Sequence, residues 1–242
     1  LGLQGNANSG MGIQFEKTST EQGLNLNYKM KNLDITTNLN HNDMTFTNEN
    51  RLTYDFEKTT TTIKTLPDSY FKNTSFNTII QYTPIEKLTI GSTIDIGESK
   101  DGGDNPSTSV YYNKMTQKID SLMYSNNINT SRSSNRAMSF FSDYLLDSLG
   151  KKISFTYNHS YNKNLSGSSI SSDILGDINK NERFTNNGNN RYSVNGILLD
   201  FELPFKFGRI DIGGAFTHIN NNSGIVYFDA DNNIDYTQTN QF

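Results

Sequence analysis

The chain lacks several residue types on which whole classes of proteins depend. Its 242 residues contain no cysteine, no tryptophan, four prolines and only four alanines. Without cysteine there is no disulfide framework, no thiol nucleophile and no thiolate zinc site. The longest uninterrupted apolar run is 225–228, far short of the roughly 20 residues of a transmembrane helix.

Charge and leader signals are also scarce. Charged residues make up 19% of the chain, the formal net charge is −4 and the pI is about 5.4. This balance gives no basic footprint for nucleic acid, so no nucleic-acid partner is expected. The sequence opens at Leu1 without a charged and then apolar signal segment, and we expect it to be part of a longer protein.

Small polar residues and aromatics make up much of the composition instead. Asn, Ser and Thr occur 34, 25 and 25 times, and with so little alanine they disfavour a mainly helical fold. Hydrophobic residues reach 33%, below the roughly 45–50% of a soluble globular domain. Yet 15 Phe and 13 Tyr are too many for a disordered chain. The composition therefore predicts an ordered protein without a large conventional core.

Apolar and polar residues alternate with a period of two, which is the pattern of β-strands. Near the N-terminus Leu24, Leu26, Tyr28 and Met30 alternate with polar residues. The same alternation recurs around 33–40, 88–96, 153–161 and 210–216, and more weakly near 3–17, 74–83, 136–147 and 192–203. It predicts about nine or ten strands, several of them ten residues or longer, and no amphipathic helix.

Short turns and long polar stretches connect these strands alternately. The short turns are predicted at 30–32, 84–86, 148–151 and 204–207. The long stretches are predicted as loops at 48–72, 98–135, 164–190 and from 221 onward.

A soluble antiparallel sandwich and a transmembrane barrel both show period-two alternation. The connections of a sandwich need not sort into short ones at one end and long ones at the other. In an outer-membrane barrel the apolar side faces lipid, the polar side faces the lumen, and short periplasmic turns alternate with long extracellular loops. The polar positions here are Asn, Thr, Ser and Gly, which suit a wet lumen. The predicted fold class is all-β, a transmembrane antiparallel up-and-down barrel in a bacterial outer membrane.

Aromatic residues near the short turns are typical of a periplasmic girdle. Tyr28, Tyr82, Tyr144 and Phe205 each lie within four residues of such a turn. Tyr and Phe are also good strand formers, so each residue alone has a second explanation. Their recurrence at one height favours the girdle.

Four segments resemble the barrel region of TonB-dependent receptors, of the Asn- and Ser-rich kind common in the Bacteroides group. They are residues 23–40, 143–158, 199–217 and 234–242. In that family such segments are a strand, a tight periplasmic turn and a return strand. The resemblance implies a large barrel around a plug domain and energy-dependent import of scarce nutrients. The partners it implies are outer-membrane lipid, the barrel-assembly machinery, the plug and, through the plug, TonB.

The chain departs from that family at both ends. No plug or TonB-contacting segment is visible, and nine or ten strands cannot close a barrel of about 22. We therefore expect residues 1–242 to be a portion of a single outer-membrane barrel domain, with the plug and the remaining strands absent. Phe242 follows a segment without alternating apolar residues, which favours a truncation there.

Covalent chemistry is not expected. His41, His159 and His218 share the apolar parity of their strands, which predicts a place near the outer membrane interface and not a catalytic one. The segments 101–105 and 229–233 resemble calcium loops only loosely, and turns built on Asn and Asp side chains explain them better. We predict no enzyme activity, no cofactor and no metal.

Ligand recognition, where it occurs, is expected in the long loops and the upper lumen. Six loop aromatics either stack on a sugar, siderophore or peptide, or pack the loops together: Tyr54, Tyr70, Phe71, Tyr111, Tyr112 and Tyr124. The leading prediction is the barrel portion of a TonB-dependent receptor that imports a nutrient. The alternatives are a non-transporting barrel with adhesion or scaffolding loops and, less favoured, a barrel hydrolase.

Overall fold

The computed structural model describes residues 1–14, 16–175, 180–228 and 233–241, and nearly all of them lie in strands. The strands are β1 (Gly2–Gln14), β2 (Lys17–Lys29), β3 (Leu33–Thr47), β4 (Asn50–Asp55), β5 (Thr59–Thr65), β6 (Asp68–Ile85), β7 (Leu88–Asn113), β8 (Lys118–Leu145), β9 (Lys152–Leu175), β10 (Lys180–Phe205), β11 (Gly208–Phe228) and β12 (Ile234–Gln241). No helix in the described ranges is long and apolar enough to cross a membrane.

The strands form one antiparallel sheet that runs up and down in chain order. Its order is β1-β2-β3-β6-β7-β8-β9-β10-β11-β12, with β4 and β5 beside this path. Within the described ranges β1 and β12 are not paired with each other, so the sheet is open. The predicted all-β, up-and-down architecture is confirmed.

Strands β4 and β5 form a side hairpin that continues the sheet beyond the Asp68 end of β6. The ladder between β6 and β7 ends at the pair Asp68–Asp104. Beyond it β5 takes the place of β6, from the pair Thr65–Ser107 upward, and Leu66 N–H donates to the Pro106 carbonyl at 3.1 Å. Strand β7 is therefore paired on both sides along almost its whole length.

The short turns occur where they were predicted, to within two residues. They occupy 30–32, 86–87, 146–151 and 206–207, and all four lie at the same end of the sheet. Gly150, at a left-handed φ of 90°, closes the third of them. This end is the periplasmic end in the architecture of outer-membrane barrels.

The prediction of long loops was wrong. Most of 98–135 belongs to β7 and β8, which meet at a turn of only four residues, 114–117. The stretch 48–72 holds β4 and β5, and the described ranges contain twelve strands where nine or ten were predicted. Polar residues occupy both faces of the sheet in these regions, so the alternation that marks a strand in sequence is missing.

The sheet has no hydrophobic core. Among the described residues no apolar side chain is buried, whereas Thr78 and Ser109 are 7% and 2% exposed. An up-and-down sheet with one apolar face buries that face only against another layer or against lipid. No second protein layer covers the apolar face among the described residues.

Candidate membrane-facing and lumenal surfaces

The strand register assigns every side chain to one of two faces, because directly opposite residues point to the same side of a sheet. We call the face with the apolar rows the outer face. One row crosses seven strands at Ile35, Ile80, Ser92, Phe140, Tyr157, Ile197 and Phe216. Phe140, Ile197 and Phe216 are 41%, 45% and 67% exposed, which is costly in water and favourable in lipid.

The apolar rows form a band with a sharp upper margin. On β7 the outer face carries Leu88, Ile90, Ile94 and Ile96, and then Glu98. From Leu88 to Ile96 the strand rises by about 26 Å, or about 20 Å along the membrane normal at a tilt of roughly 40°. This height approaches the roughly 25 Å apolar band of outer-membrane barrels.

The four girdle candidates all lie on the outer face and follow the stagger of the strands. Tyr28 shares a row with Ile80, so Tyr82 lies two residues nearer the periplasmic end. Tyr144 lies nearer the periplasmic end than the row that passes through Tyr82. Phe205, in turn, lies nearer that end than the row that passes through Tyr144. Strands tilted by about 35–45° need such a stagger to keep residues at one height. The girdle stays a prediction that this geometry favours.

The other side of the sheet, which we call the inner face, is polar. On β9 every second residue from 154 to 162 is Ser, Thr or Asn. Side chains on this face bond across strands: Thr36 Oγ1 donates to Asn27 Oδ1 at 2.8 Å, and the amides of Asn25 and Asn38 are paired. A face of small hydrogen-bonding groups suits a water-filled lumen.

An ionic network lies at the periplasmic end of the inner face. Glu202 accepts Lys152 Nζ at 2.9 Å and Arg209 Nη2 at 3.0 Å, and Arg209 Nε also reaches Asp211 at 2.6 Å. The Glu202 side chain is 27% exposed. One carboxylate therefore joins β9, β10 and β11 at the mouth of the lumen.

The six predicted ligand-contacting aromatics do not form one cluster. Tyr54, Phe71 and Tyr111 lie on the inner face, and Tyr54 and Tyr111 are both opposite Thr61. The remaining three lie on the outer face: Tyr70, Tyr112 and Tyr124. A single lumenal ligand can therefore meet at most half of the set.

A different aromatic group, missed in the sequence, does come together on the inner face. The ring centroids of Phe184 and Tyr227 are 5.5 Å apart, and those of Tyr227 and Tyr236 are 5.8 Å apart. These residues belong to stretches that were predicted as loops. The sequence signal was the apolar run 225–228, which indicates a strand and which the loop prediction ignored.

The histidines lie on the outer face, as their parity predicted. His41 Nδ1 is 2.8 Å from Thr74 Oγ1, and His159 Nδ1 is 2.8 Å from Asn195 Oδ1. His218 lies opposite Asn195. Each ring thus has an uncharged polar neighbour at the upper part of the apolar band.

No metal centre emerges from the described part of the chain. It contains no group of three His, Cys, Asp or Glu residues that could hold a metal ion. The segment 101–105 lies inside β7 and is not a loop, because Asp101 pairs with Phe71 and Asp104 with Asp68. Asp229 and Asp231 of the other candidate, like Phe242, lie outside the described residues.

Two carboxylates outside the membrane-spanning band organise the ends of the sheet. Lys114 Nζ, 2.7 Å from Asp55, lowers the pKa of that carboxyl with help from the Thr60 hydroxyl. Partial burial would raise the pKa of Asp147, but hydrogen bonds from Lys151 and Leu149 outweigh it and lower the pKa. Asp55 ties the side hairpin to the turn 114–117, and Asp147 closes a periplasmic turn.

The comparison with protein families decides the class. Residues 144–242, from the end of β8 through β12, match the outer membrane protein beta-barrel family. This part of the chain is an outer membrane β-barrel domain. The family is one of the bacterial outer membrane, and the apolar outer face and polar inner face of the barrel sheet agree with that location. No curated protein and no solved structure matches the chain.

Proposed function

We propose that the chain is the barrel portion of a TonB-dependent outer-membrane receptor that imports a nutrient through a plugged lumen. The observation that supports this function best is a wide two-faced sheet that the ten strands of its main path leave open. In lipid an unpaired sheet edge leaves backbone N–H and C=O groups unsatisfied, so β1 and β12 need further strands beside them. The main path supplies ten strands, and further strands up to about 22 would give the class of barrel whose lumen is plugged.

The inner face supplies the surface along which a nutrient would move. Its Asn, Ser and Thr side chains offer hydrogen-bond donors and acceptors, and its Gly residues leave space beside the wall. Tyr54, Phe71 and Tyr111, together with the trio of Phe184, Tyr227 and Tyr236, provide rings for stacking on a sugar, siderophore or peptide. The plug, TonB and the barrel-assembly machinery are the protein partners in this proposal, and no covalent chemistry or cofactor is required.

A non-transporting scaffold is the second candidate, and the length of the strands favours it. Strands β7 and β8 continue for 15 or more residues beyond the apolar band before they meet at the turn 114–117. At about 3.3 Å per residue and a tilt of roughly 40°, the sheet extends some 35–40 Å above the membrane. A rigid projection of this size is a surface for adhesion or complex assembly.

Uptake measurements separate these functions. Labelled oligosaccharides, siderophores and peptides are offered to cells with the gene intact, with the gene deleted, and with the gene intact but TonB inactive. The proposal predicts at least one substrate whose uptake needs both the chain and TonB. Uptake that needs the chain but not TonB contradicts a TonB-dependent receptor. No chain-dependent uptake of any probe would favour the scaffold.

Two neighbouring tyrosines offer a matched test of the inner-face contact. Tyr111 points to the inner face and Tyr112 to the outer face of the same strand. Once a substrate is found, Tyr111→Ala should weaken its binding by roughly 1 kcal/mol or more, the value of one ring contact. Tyr112→Ala should leave binding unchanged, and equal losses would argue against a lumenal site.

A further inference from the structure

The cations of the middle of the sheet are all on the outer face, just above the apolar band. Six of them lie on β6 to β10: Lys72, Lys100, Arg132, Arg136, Lys163 and Arg191. Two carboxylates share this zone of the outer face, Asp43 and Glu98. The inner-face positions next to these cations carry Asn, Ser, Ala, Phe, Tyr and Asp, and no Lys or Arg. A chain of net charge −4 has thus placed a local excess of positive charge on its lipid-facing side.

Three of these cations are directly opposite one another. Lys72 pairs with Lys100, and Lys100 pairs with Arg132, across three adjacent strands. Like charges at directly opposite positions destabilise a sheet unless something neutralises them. Lys72 has Asp43 at 2.6 Å, but Arg132 is 3.7 Å from Glu98, and within the described ranges Lys100 has no carboxylate partner. The row leaves positive charge available for an external anion.

A depression beside this row has the composition of an anion site with an apolar wall. It has a volume of about 360 Å³, and three cations, Arg132, Arg136 and Lys163, line it together with one carboxylate, Glu98, and with Tyr161 and Leu165. Neither Arg136 nor Lys163 has an ion-pair partner among the described residues. Arginine presents a planar fork of donors that matches phosphate oxygens, and lysine adds a point charge.

A second, larger depression continues from the first. Its volume is about 660 Å³, it shares Arg132 and Leu165 with the first, and Lys100 and Tyr70 also line it. On β7 and β8, the outer face becomes apolar at Ile96, which is opposite Arg136, and at Met138 one row lower. A ligand held here by its anionic group therefore has an apolar surface directly beneath it, on the membrane side.

We propose that the six cations above the apolar band, which we call the basic margin, bind the phosphate groups of a phosphorylated glycolipid in the outer leaflet. The short turns lie on the periplasmic side, so the upper margin of the band lies at the outer leaflet's headgroups. Acyl chains would lie along the apolar rows while the phosphates meet Lys100, Arg132 and Lys163. A free phosphate ion would use the cations alone, and the apolar rows below them favour the lipid. The proposal depends on the outer-membrane location and not on transport.

Neutralising three of the cations tests the site in the full chain. The variant Lys100→Gln, Arg132→Gln, Lys163→Gln is compared with Arg51→Gln, Lys58→Gln, Lys118→Gln, which removes the same charge from exposed positions on the extracellular hairpins. Proteins extracted from outer membranes in mild detergent are stripped of lipid. Binding is then measured with a bisphosphorylated acyl-disaccharide lipid, its phosphatase-treated form, and inorganic phosphate.

The expected result is a loss specific to the basic margin. Each cation near a charged lipid surface contributes roughly fivefold, so the triple variant should bind the phosphorylated lipid about a hundredfold more weakly at low salt. The hairpin variant should bind like the wild type, and the phosphatase-treated lipid should bind weakly to all three proteins.

Three results would overturn the proposal. They are unchanged binding by the triple variant, equal binding of the treated and untreated lipids, and displacement of the lipid by millimolar inorganic phosphate. Should the triple variant fail to reach the membrane, the wild type's preference between the two lipids decides the question alone.

Discussion

The ring of Phe141 lies over Gly91 on the neighbouring strand, at the inner face of the sheet. A Cβ atom on Gly91 would be 2.7 Å from Phe141 Cε1 and equally close to the Ile80 carbonyl oxygen, and closer still to Phe141 Cζ. The ring could move, but the carbonyl belongs to the backbone of β6 and cannot move without disturbing the ladder. Glycine at this position lets an aromatic ring cover the strand, a recognised device in β-sheets.

Gly91→Ala is therefore expected to destabilise the folded barrel by about 1–3 kcal/mol, the usual cost of overpacking. The matched control is Gly214→Ala, because a Cβ there meets no atom within 4 Å. Urea unfolding of the protein in lipid vesicles measures both. Equal stability of the two variants would show that the contact with Phe141 and Ile80 is not tight.

Single cysteines should report the two faces of β8, since the wild-type chain contains none. Ser139 points to the inner face and Phe140 to the outer face. With Ser139→Cys we expect reaction with a water-soluble maleimide, because the lumen is wet. With Phe140→Cys we expect reaction only with a lipid-soluble maleimide. Mass spectrometry of labelled cells gives the readout, and the reverse pattern would exchange the two faces.

The part of the sheet inside the apolar band could be predicted from the sequence because its two faces meet different environments, lipid on one side and water on the other. Along β9 the residues Ile153, Phe155 and Tyr157 meet lipid, and Ser154 and Thr156 meet water. Each position therefore carries the chemistry of its side, and the alternation appears in the sequence. The turns, the strand directions and the parity of the histidines all followed from it.

The part of the sheet beyond the apolar band, towards the turn 114–117, could not be predicted because both of its faces meet water. Along 129–134 on β8, polar residues occupy successive positions, so nothing in the composition separates a strand from a loop. What holds this region is backbone pairing, with Asn113 accepting the N–H groups of Met115 and Thr116 to close the turn. The aromatic trio around Tyr227 and the row of cations depend on register between strands, which a single strand's pattern does not contain.

A charge placed on the outer face should be costly, whereas the same charge one residue away should not. Phe216 is 67% exposed on the outer face, and Thr217 follows it on the inner face. Phe216→Arg should cost about 2–4 kcal/mol, the penalty of a cation in the lipid band, and Thr217→Arg less than about 1 kcal/mol. Unfolding in vesicles checks the difference. A smaller penalty at Phe216 than at Thr217 would contradict the assignment of the faces.

Asp147 should stabilise the periplasmic turn 146–151 in two separable ways. Its Oδ1 accepts the N–H groups of Leu149 at 3.0 Å and Lys151 at 3.1 Å, and its Oδ2 lies 3.1 Å from Lys151 Nζ. Asp147→Asn keeps an oxygen for the two N–H groups but loses the ion pair, and Asp147→Ala loses both. Stability in urea should fall in the order wild type, Asn variant, Ala variant.

The pH dependence of the same variants follows from the lowered pKa of Asp147. A carboxyl whose pKa is lower in the folded state stabilises the fold above its unfolded pKa of about 3.9, and the contribution is lost as the pH falls through the folded value. The wild type's advantage over Asp147→Asn should therefore be present at pH 7 and shrink below about pH 4. The control is Glu86→Gln in the turn 86–87, which removes a charge at the same membrane side from a residue without an ion pair in the described ranges. A wild-type advantage that persists unchanged in acid would assign the effect to the neutral hydrogen bonds alone.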